Sequence, residues 1–219
     1  MTETLPTLLV IRHGETQWNV AGRLQGSRDT PLTVNGVRQA QAVAVRLSEA
    51  VAGLEGAAYW VSPLGRARQT ASILADLWCL PFDRFGQEPL LAERCYGAWE
   101  GRLHGEIERD LPEQYGAHAS DPWEYAMPGG ESRTVLTERL RAWLKSLDRN
   151  RPHVAVTHSG CLRALRGIYS AASPAEILAY REPQTSAFLL SASAERVLNV
   201  PKATLDAFGC EGEGRTVWI

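Results

Sequence analysis

The chain has 219 residues, 44% hydrophobic and 22% charged, a length and composition that suit one large core better than two small ones. Its formal net charge of −2 excludes a global electrostatic attraction to nucleic acid or acidic membranes, so any affinity for phosphate must be local. No window approaches the unbroken apolar run of roughly 20 residues that a membrane-spanning helix needs, and the opening MTETLPTLLV lacks the basic segment of a signal peptide.

In chain order, the short β-branched run TLLVI (7–11) predicts a strand buried on both faces. After a glycine-containing loop, LTVNGVRQAQAVAVRLSEAV predicts a helix with Thr33 as its N-cap, presenting Val37, Ala40, Val43, Ala44 and Leu47 to the core. AAYWVS and GRARQTASILADLW read as a second strand and a second helix. Residues 92–132 are rich in Gly, Pro and Trp and less regular, with one short helix near 104–110. ESRTVLTERLRAWLKSLDRN is a third long helix, with Val135, Leu136, Leu140, Trp143, Leu144 and Leu147 on its apolar side. HVAVT is another buried strand, SGCLRALRGIYS another helix, and SAFLLSAS with ERVLNV a closing pair of strands near the sheet edge. This alternation predicts an α/β fold with a mostly parallel sheet. No repeat, low-complexity tract or linker interrupts it, so residues 1–219 are expected to form a single domain. The four cysteines (Cys79, Cys95, Cys161, Cys210) form no CxxC pair and read as scattered buried thiols of a cytoplasmic protein.

Two segments share one grammar: LLVI-RHG and HVAV-THSG are apolar strands that end in a histidine with glycine close behind. Ligands of open parallel sheets sit beyond the carboxyl ends of the strands, which predicts His13 and His158 on one rim. Arg12 adjoins His13, and Arg66 follows another strand in the first turn of a helix. The helix dipole opposes a cation there, so Arg66 is expected to share an anion with that helix N-terminus. Arg68 cannot share its face and reads as structural or solvated. Guanidinium forks match phosphate oxygens in pairs, so a histidine with two arginines suits phosphoryl transfer without a metal. No DxD, HxH or HExxH cluster occurs. For the acid, Glu93 sits where an apolar run ends, and Glu100 competes with it.

At this point RHGETQWN, GRLQGSRDTPLTVNGVRQA, SPLGRARQTA, ERCYGAWEG, PGGES and VTHSG, in this order between residues 12 and 160, resemble the motifs of the histidine phosphatase superfamily. That family includes the cofactor-dependent phosphoglycerate mutases and many small-molecule phosphatases. The resemblance implies a phosphoglycerate mutase-like three-layer α/β/α sandwich with one antiparallel strand. It implies His13 as the nucleophile that becomes a phosphohistidine, kept neutral by Arg12 and Arg66. Arg12, Arg66 and His158 match the residues that hold the transferring phosphoryl group, and Asn19 a further neutral donor to it. Glu93, rather than Glu100, matches the general acid and base, and Gln25 and Gly26 match positions lining the substrate pocket.

Mutases of this type carry a long insertion with a paired-arginine run after the acid motif. Here the region from Arg94 to Glu131 is short, and its basic residues Arg102 and Arg109 stand apart. The expected activity is therefore a metal-independent phosphomonoesterase, resembling the broad-specificity and alpha-ribazole phosphatases. A bisphosphoglycerate-dependent mutase is the alternative, and a non-catalytic phosphate-binding module a second one. No cofactor is called for, the expected partner is a small-molecule phosphomonoester rather than nucleic acid or membrane, and a homodimer stays open. Trp18, Tyr96, Trp99, Trp123 and Tyr125 are candidates for an aromatic pocket or for plain core. Trp78 and Trp143 read as core, and His104, His118 and His153 as structural or solvated.

Overall fold

A computed structural model of the chain describes residues 5–192 and 194–211. Six strands form one sheet: β1 (Leu8–Arg12), β2 (Ala58–Val61), β3 (Phe85–Gln87), β4 (His153–Thr157), β5 (Ser186–Ser191) and β6 (Ala194–Asn199). Their order is β3-β2-β4-β1-β5-β6. β3, β2, β4 and β1 pair in parallel, β5 runs antiparallel to β1, and β6 runs antiparallel to β5. β5 is thus the one strand opposed to the rest, as the resemblance implies.

Side-chain alternation along the central strands divides the molecule into layers. Leu9 and Ile11 of β1, with Val154 and Val156 of β4, pack into a core shared with α2 (Val34–Ala52) and α3 (Gly65–Leu77). Leu8, Val10 and Ala155 point the other way and pack with α6 (Arg133–Ser146) and α7 (Ser159–Ser170). Each fully buried leucine contributes about 1.5–3 kcal/mol, and both faces of β1 are lined by such residues. The result is the expected three-layer sandwich. A smaller core of Leu24, Trp99, Ile107 and Met127 supports the irregular region, beside α4 (His104–Asp110) and α5 (Pro112–Ser120). Among the described residues no helix is long and apolar enough to cross a membrane.

Several expectations change in detail. Val37 and Val135 are exposed, because the buried stripes of α2 and α6 run through Gly36, Gln39 and Ala40 and through Leu136, Leu140 and Trp143 instead. Gly36 is buried because the backbone after β1 crosses it: a Cβ there would lie 2.0 Å from the Glu15 carbonyl oxygen, and one on Gly14 would lie 2.3 Å from that of Gly36. The cysteines are free, but Cys161 alone is buried and Cys79 is exposed. Only Cys161 lies on a core-facing helix side, which the spacing of single cysteines cannot reveal. β3, α5, α8 (Pro174–Ala179) and α9 (Lys202–Ala207) had no periodic signal long enough to read. Trp78 is half-buried against the α2–α3 core and its indole donates to the Ala44 carbonyl, whereas Trp143 is fully buried. His153, in β4, accepts from the Trp60 indole at 3.0 Å.

One fully buried acid ties the C-terminal part to α7. The Glu182 carboxylate accepts from Arg163 at 2.7 Å, Arg166 at 3.1 Å and Ser159 at 3.1 Å. Removing its charge leaves two buried guanidiniums undercompensated, so Glu182→Gln should lower unfolding stability by about 3 kcal/mol, read as a reduced urea midpoint. Gly36→Ala should also destabilise, because rigid backbone rather than a movable side chain meets the new methyl group.

Candidate active site

β1 and β4 are neighbours, paired so that Arg12 lies opposite Thr157. The residue after each strand is a histidine, and the ladder extends one bond further, from His13 N–H to the Thr157 carbonyl at 3.0 Å. His13 and His158 therefore leave the sheet side by side, with ring centroids 5.1 Å apart. Both are buried.

The His13 ring is oriented by its own loop. Nδ1 lies 2.8 Å from the Gly14 carbonyl, which can only accept, so Nδ1 carries the proton. Nε2 is left with its lone pair, and Arg66 Nε donates to it at 3.2 Å. Burial, then Arg66 and Arg12, hold the His13 pKa well below the usual histidine range. The arginines act as the sequence led us to expect, but desolvation outranks them.

His158 has the complementary tautomer. Ser62 Oγ accepts from Leu64 N–H at 3.3 Å and lies 2.7 Å from His158 Nε2, the one acceptor for its buried hydroxyl proton among the described residues, so the hydroxyl donates to that nitrogen. Nδ1 of His158 is then an N–H donor, buried and without a partner among the described residues. Burial and Arg66 hold this histidine neutral too.

Arg66 occupies the first turn of α3, but the anion it shares with the helix N-terminus is internal. The Asp29 carboxylate accepts from Gly65 N–H and Arg66 N–H and pairs with the Arg66 guanidinium at 2.9 Å. Arg66 also donates to the Arg28 carbonyl at 2.7 Å and the Gly26 carbonyl at 2.8 Å. Sequence spacing could not reveal that an acid 37 residues upstream caps this helix. Arg12 is oriented from the other side by the Glu182 carbonyl at 2.7 Å.

Asn19 forms a reciprocal cap with Thr16 at the start of α1 (Gln17–Ala21). Its Oδ1 accepts from Thr16 N–H at 3.0 Å and from Gln184 at 3.1 Å, which leaves its amide N–H groups as the polar part with bonds to give. Gln25 and Gly26 line the same pocket. Gly26 has φ +58, and a Cβ there would lie 2.2 Å from a Glu100 carboxylate oxygen, so only glycine fits.

The two candidate acids separate cleanly. Glu93 lines the pocket and its carboxylate accepts from Arg94 N–H at 2.8 Å and Gly160 N–H at 3.0 Å. Glu100 faces away and fastens two loops, accepting from Ser27 N–H at 2.7 Å and Tyr96 N–H at 3.0 Å. Of the aromatics, Trp18, Tyr96 and Trp123 line the pocket, whereas Trp99 and Tyr125 belong to the small core. His118 stacks edge-on against Trp99, and burial pushes its pKa down to about 4. Four further pocket arginines escaped the sequence reading: Arg23, Arg94, Arg133 and Arg163. Arg133 is the first residue of α6, a cation at the wrong end of a helix dipole, which is the signal that singled out Arg66.

The family model described as histidine phosphatase superfamily (branch 1) matches residues 8–200. The chain is 35% identical over 162 residues to the metal-independent phosphoserine phosphatase of Arabidopsis thaliana, covering 72% of this chain and 66% of that protein. It is also 35% identical over 161 residues to the "Probable phosphoglycerate mutase GpmB" of Serratia proteamaculans, covering 70% and 71%. Among solved structures, the alpha-ribazole phosphatase from Shigella flexneri superposes with a TM-score of 0.74 at 30% identity, covering 88% of this chain and 96% of that one. Six ordered motifs, one sheet topology and a match across nearly the whole described chain agree: this protein belongs to the histidine phosphatase superfamily, branch 1.

Proposed function

We propose that the protein is a phosphomonoesterase that hydrolyses small phosphorylated metabolites through a phosphohistidine on His13. One observation carries the reading: a buried, neutral imidazole whose Nδ1–H is tied to the Gly14 carbonyl, so that its Nε2 lone pair faces a pocket lined by Arg12 and Arg66. A positively charged pocket attracts the phosphomonoester dianion, while burial prevents the nucleophile from being lost to protonation.

In the first step the Nε2 lone pair attacks phosphorus, and the bond from phosphorus to the ester oxygen breaks. Arg66 Nε–H, which donates to Nε2 in the free site, passes to a phosphoryl oxygen. The unpartnered His158 Nδ1–H, the Arg12 guanidinium and the Asn19 amide supply further donors to the charge spread over the transferring group. Glu93, as the acid, gives its proton to the leaving oxygen. The Nδ1–H bond to Gly14 stabilises the imidazolium character that the phosphorylated ring acquires. In the second step water attacks phosphorus, its proton goes to the Glu93 carboxylate, and the N–P bond breaks to release inorganic phosphate. No cofactor takes part, and neither nucleic acid nor membrane is a partner in this reading. The four free cysteines fit work in a reducing compartment such as the cytoplasm.

A phosphoglycerate mutase is the second reading, favoured by the identity to the Serratia protein. Presented with 3-phosphoglycerate and its bisphosphate activator, the enzyme should release phosphate faster than it forms 2-phosphoglycerate; the reverse order assigns it as a mutase.

His13→Ala should reduce phosphate release from an aryl phosphate by at least about 10³-fold with chelator present, and the acid-labile phosphoenzyme expected on quenching wild type in base should not form. Undiminished turnover would remove His13 as nucleophile. Glu93→Gln should cost about 10²–10⁴-fold for alkyl phosphates and far less for p-nitrophenyl phosphate, whose leaving group needs no proton; equal losses would exclude Glu93 as the acid. Because His13 titrates well below 6.5, kcat/KM expressed per substrate dianion should not fall as pH drops through 6.5. Stability responds with the opposite sensitivity. The unfolded chain takes up protons at His13 and His158 below about 6.5 while the folded site stays neutral, so stability should decline as pH falls below that value.

A further inference from the structure

The loop that enters β5 stands at the rim of the site for a topological reason. β5 runs antiparallel to β1, with Ala187 opposite Ile11, so its first residues lie beside the carboxyl end of β1. A parallel neighbour would bring its end to that rim, whereas an antiparallel one brings its beginning. Residues 182–184 therefore lie outside the motifs of residues 12–160 in sequence, yet touch Arg12 and Asn19 in space.

Two bonds join this loop to the phosphate end. The Glu182 carbonyl accepts from Arg12 Nη1 at 2.7 Å, and Gln184 Nε2 donates to Asn19 Oδ1 at 3.1 Å. Thr16 fixes the direction of the second bond. Its backbone N–H lies 3.0 Å from the same Asn19 oxygen and can only donate, so Gln184 must present its nitrogen. Gln184 is 2% exposed, and its Oε1 has no hydrogen-bond partner among the described residues. A buried amide with one end unmatched adds little to the stability of a fold. The bond it does make ends on a residue that lines the pocket.

The loop is itself held on both sides. Upstream, the Glu182 carboxylate accepts from Arg163, Arg166 and Ser159, and Arg166 also donates to the Arg181 carbonyl at 3.1 Å. Downstream, Ser186 N–H donates to the Pro183 carbonyl at 3.2 Å and Val200 N–H to the Thr185 carbonyl at 2.9 Å. Between the two contacts Pro183 has its φ fixed by its ring. A short, anchored segment thus holds Arg12 and Asn19 relative to each other.

We propose that Gln184 is a positioning residue for phosphoryl transfer. Its donation to Asn19 Oδ1 turns the Asn19 amide N–H groups toward the transferring group, while the Glu182 carbonyl aligns Arg12 from the same loop. The inference rests on the phosphomonoesterase reading for the role of Asn19, and it names a residue outside the motifs on which that role depends. Gln184 is not among the residues that line the pocket, so it acts through Asn19. Without it the Asn19 amide keeps only its Thr16 bonds, and a donor displaced by about 1 Å can lose up to about 10² in rate.

The test is a double-mutant cycle with p-nitrophenyl phosphate. Gln184→Met should lower kcat/KM about tenfold in the wild-type background, and no more than about twofold in Asn19→Ala, where the group it positions is gone. Gln184→Asn keeps the amide but withdraws it by one methylene. It should repeat the pattern, and it takes the place of Gln184→Met in the cycle if that variant fails to fold. The same cycle is read without turnover as the Kd for orthovanadate, a five-coordinate mimic of the transferring group, which should weaken about tenfold in Gln184→Met. If no phosphomonoester is turned over but the cycle in Kd is non-additive, the phosphatase reading falls and this one stands. Equal losses in the two backgrounds would overturn the proposal, as would an Asn19→Ala variant as active as wild type. So would a fall in kcat with the orthovanadate Kd unchanged, because that marks only a smaller folded fraction.

Discussion

The parallel pairing of β1 with β4 is the constraint on which the rest of the site depends. It places Arg12 opposite Thr157 and carries one further hydrogen bond past the strand ends, so the two following histidines emerge together. Side chains alternate across a strand, and a slip of one residue would send Leu9, Ile11 and their partners to the wrong core. The apolar residues that build both layers thereby also aim the polar residues that follow them. Packing and chemistry share one register.

Around that pair, the site is held by groups that are themselves fixed. The Asp29 carboxylate caps α3 and holds Arg66, Arg66 holds the loop at Gly26 and Arg28, and its Nε meets His13. On the opposite side, the Glu182 backbone carbonyl holds Arg12 while its carboxylate neutralises Arg163 and Arg166. Opposite charges therefore compensate three of the six buried arginines among the described residues, Arg66, Arg163 and Arg166, before any ligand arrives.

Burial does two kinds of work here. It removes the histidines from protonation, leaving Nε2 of His13 as a lone pair and Nδ1 of His158 as a donor. It also makes each unsatisfied donor costly, which is how a pocket without a ligand still records what the ligand must offer. Among the described residues, His158 Nδ1 and both terminal nitrogens of Arg94 lack a hydrogen-bond partner.

The amino-acid sequence by itself determined the strands, the long helices and the motifs that the sheet gathers at one rim. Apolar runs of strand length and 3.6-residue periodicity are local signals, and the motifs around His13, Arg66, Glu93 and His158 are contiguous. Its reading of Val37 failed because the Gly36 contact with the Glu15 backbone sets the α2 stripe, and its reading of Val135 because the buried stripe of α6 runs through Leu136, Leu140 and Trp143. Only the tertiary structure decided that Glu93 lines the pocket while Glu100 ties two loops, that the partner of Arg66 is Asp29, and that Arg94 has none for its terminal nitrogens among the described residues. These outcomes depend on which groups from distant segments share a hydrogen bond, and on what water has been excluded from. Neither is a property of residues adjacent in the chain.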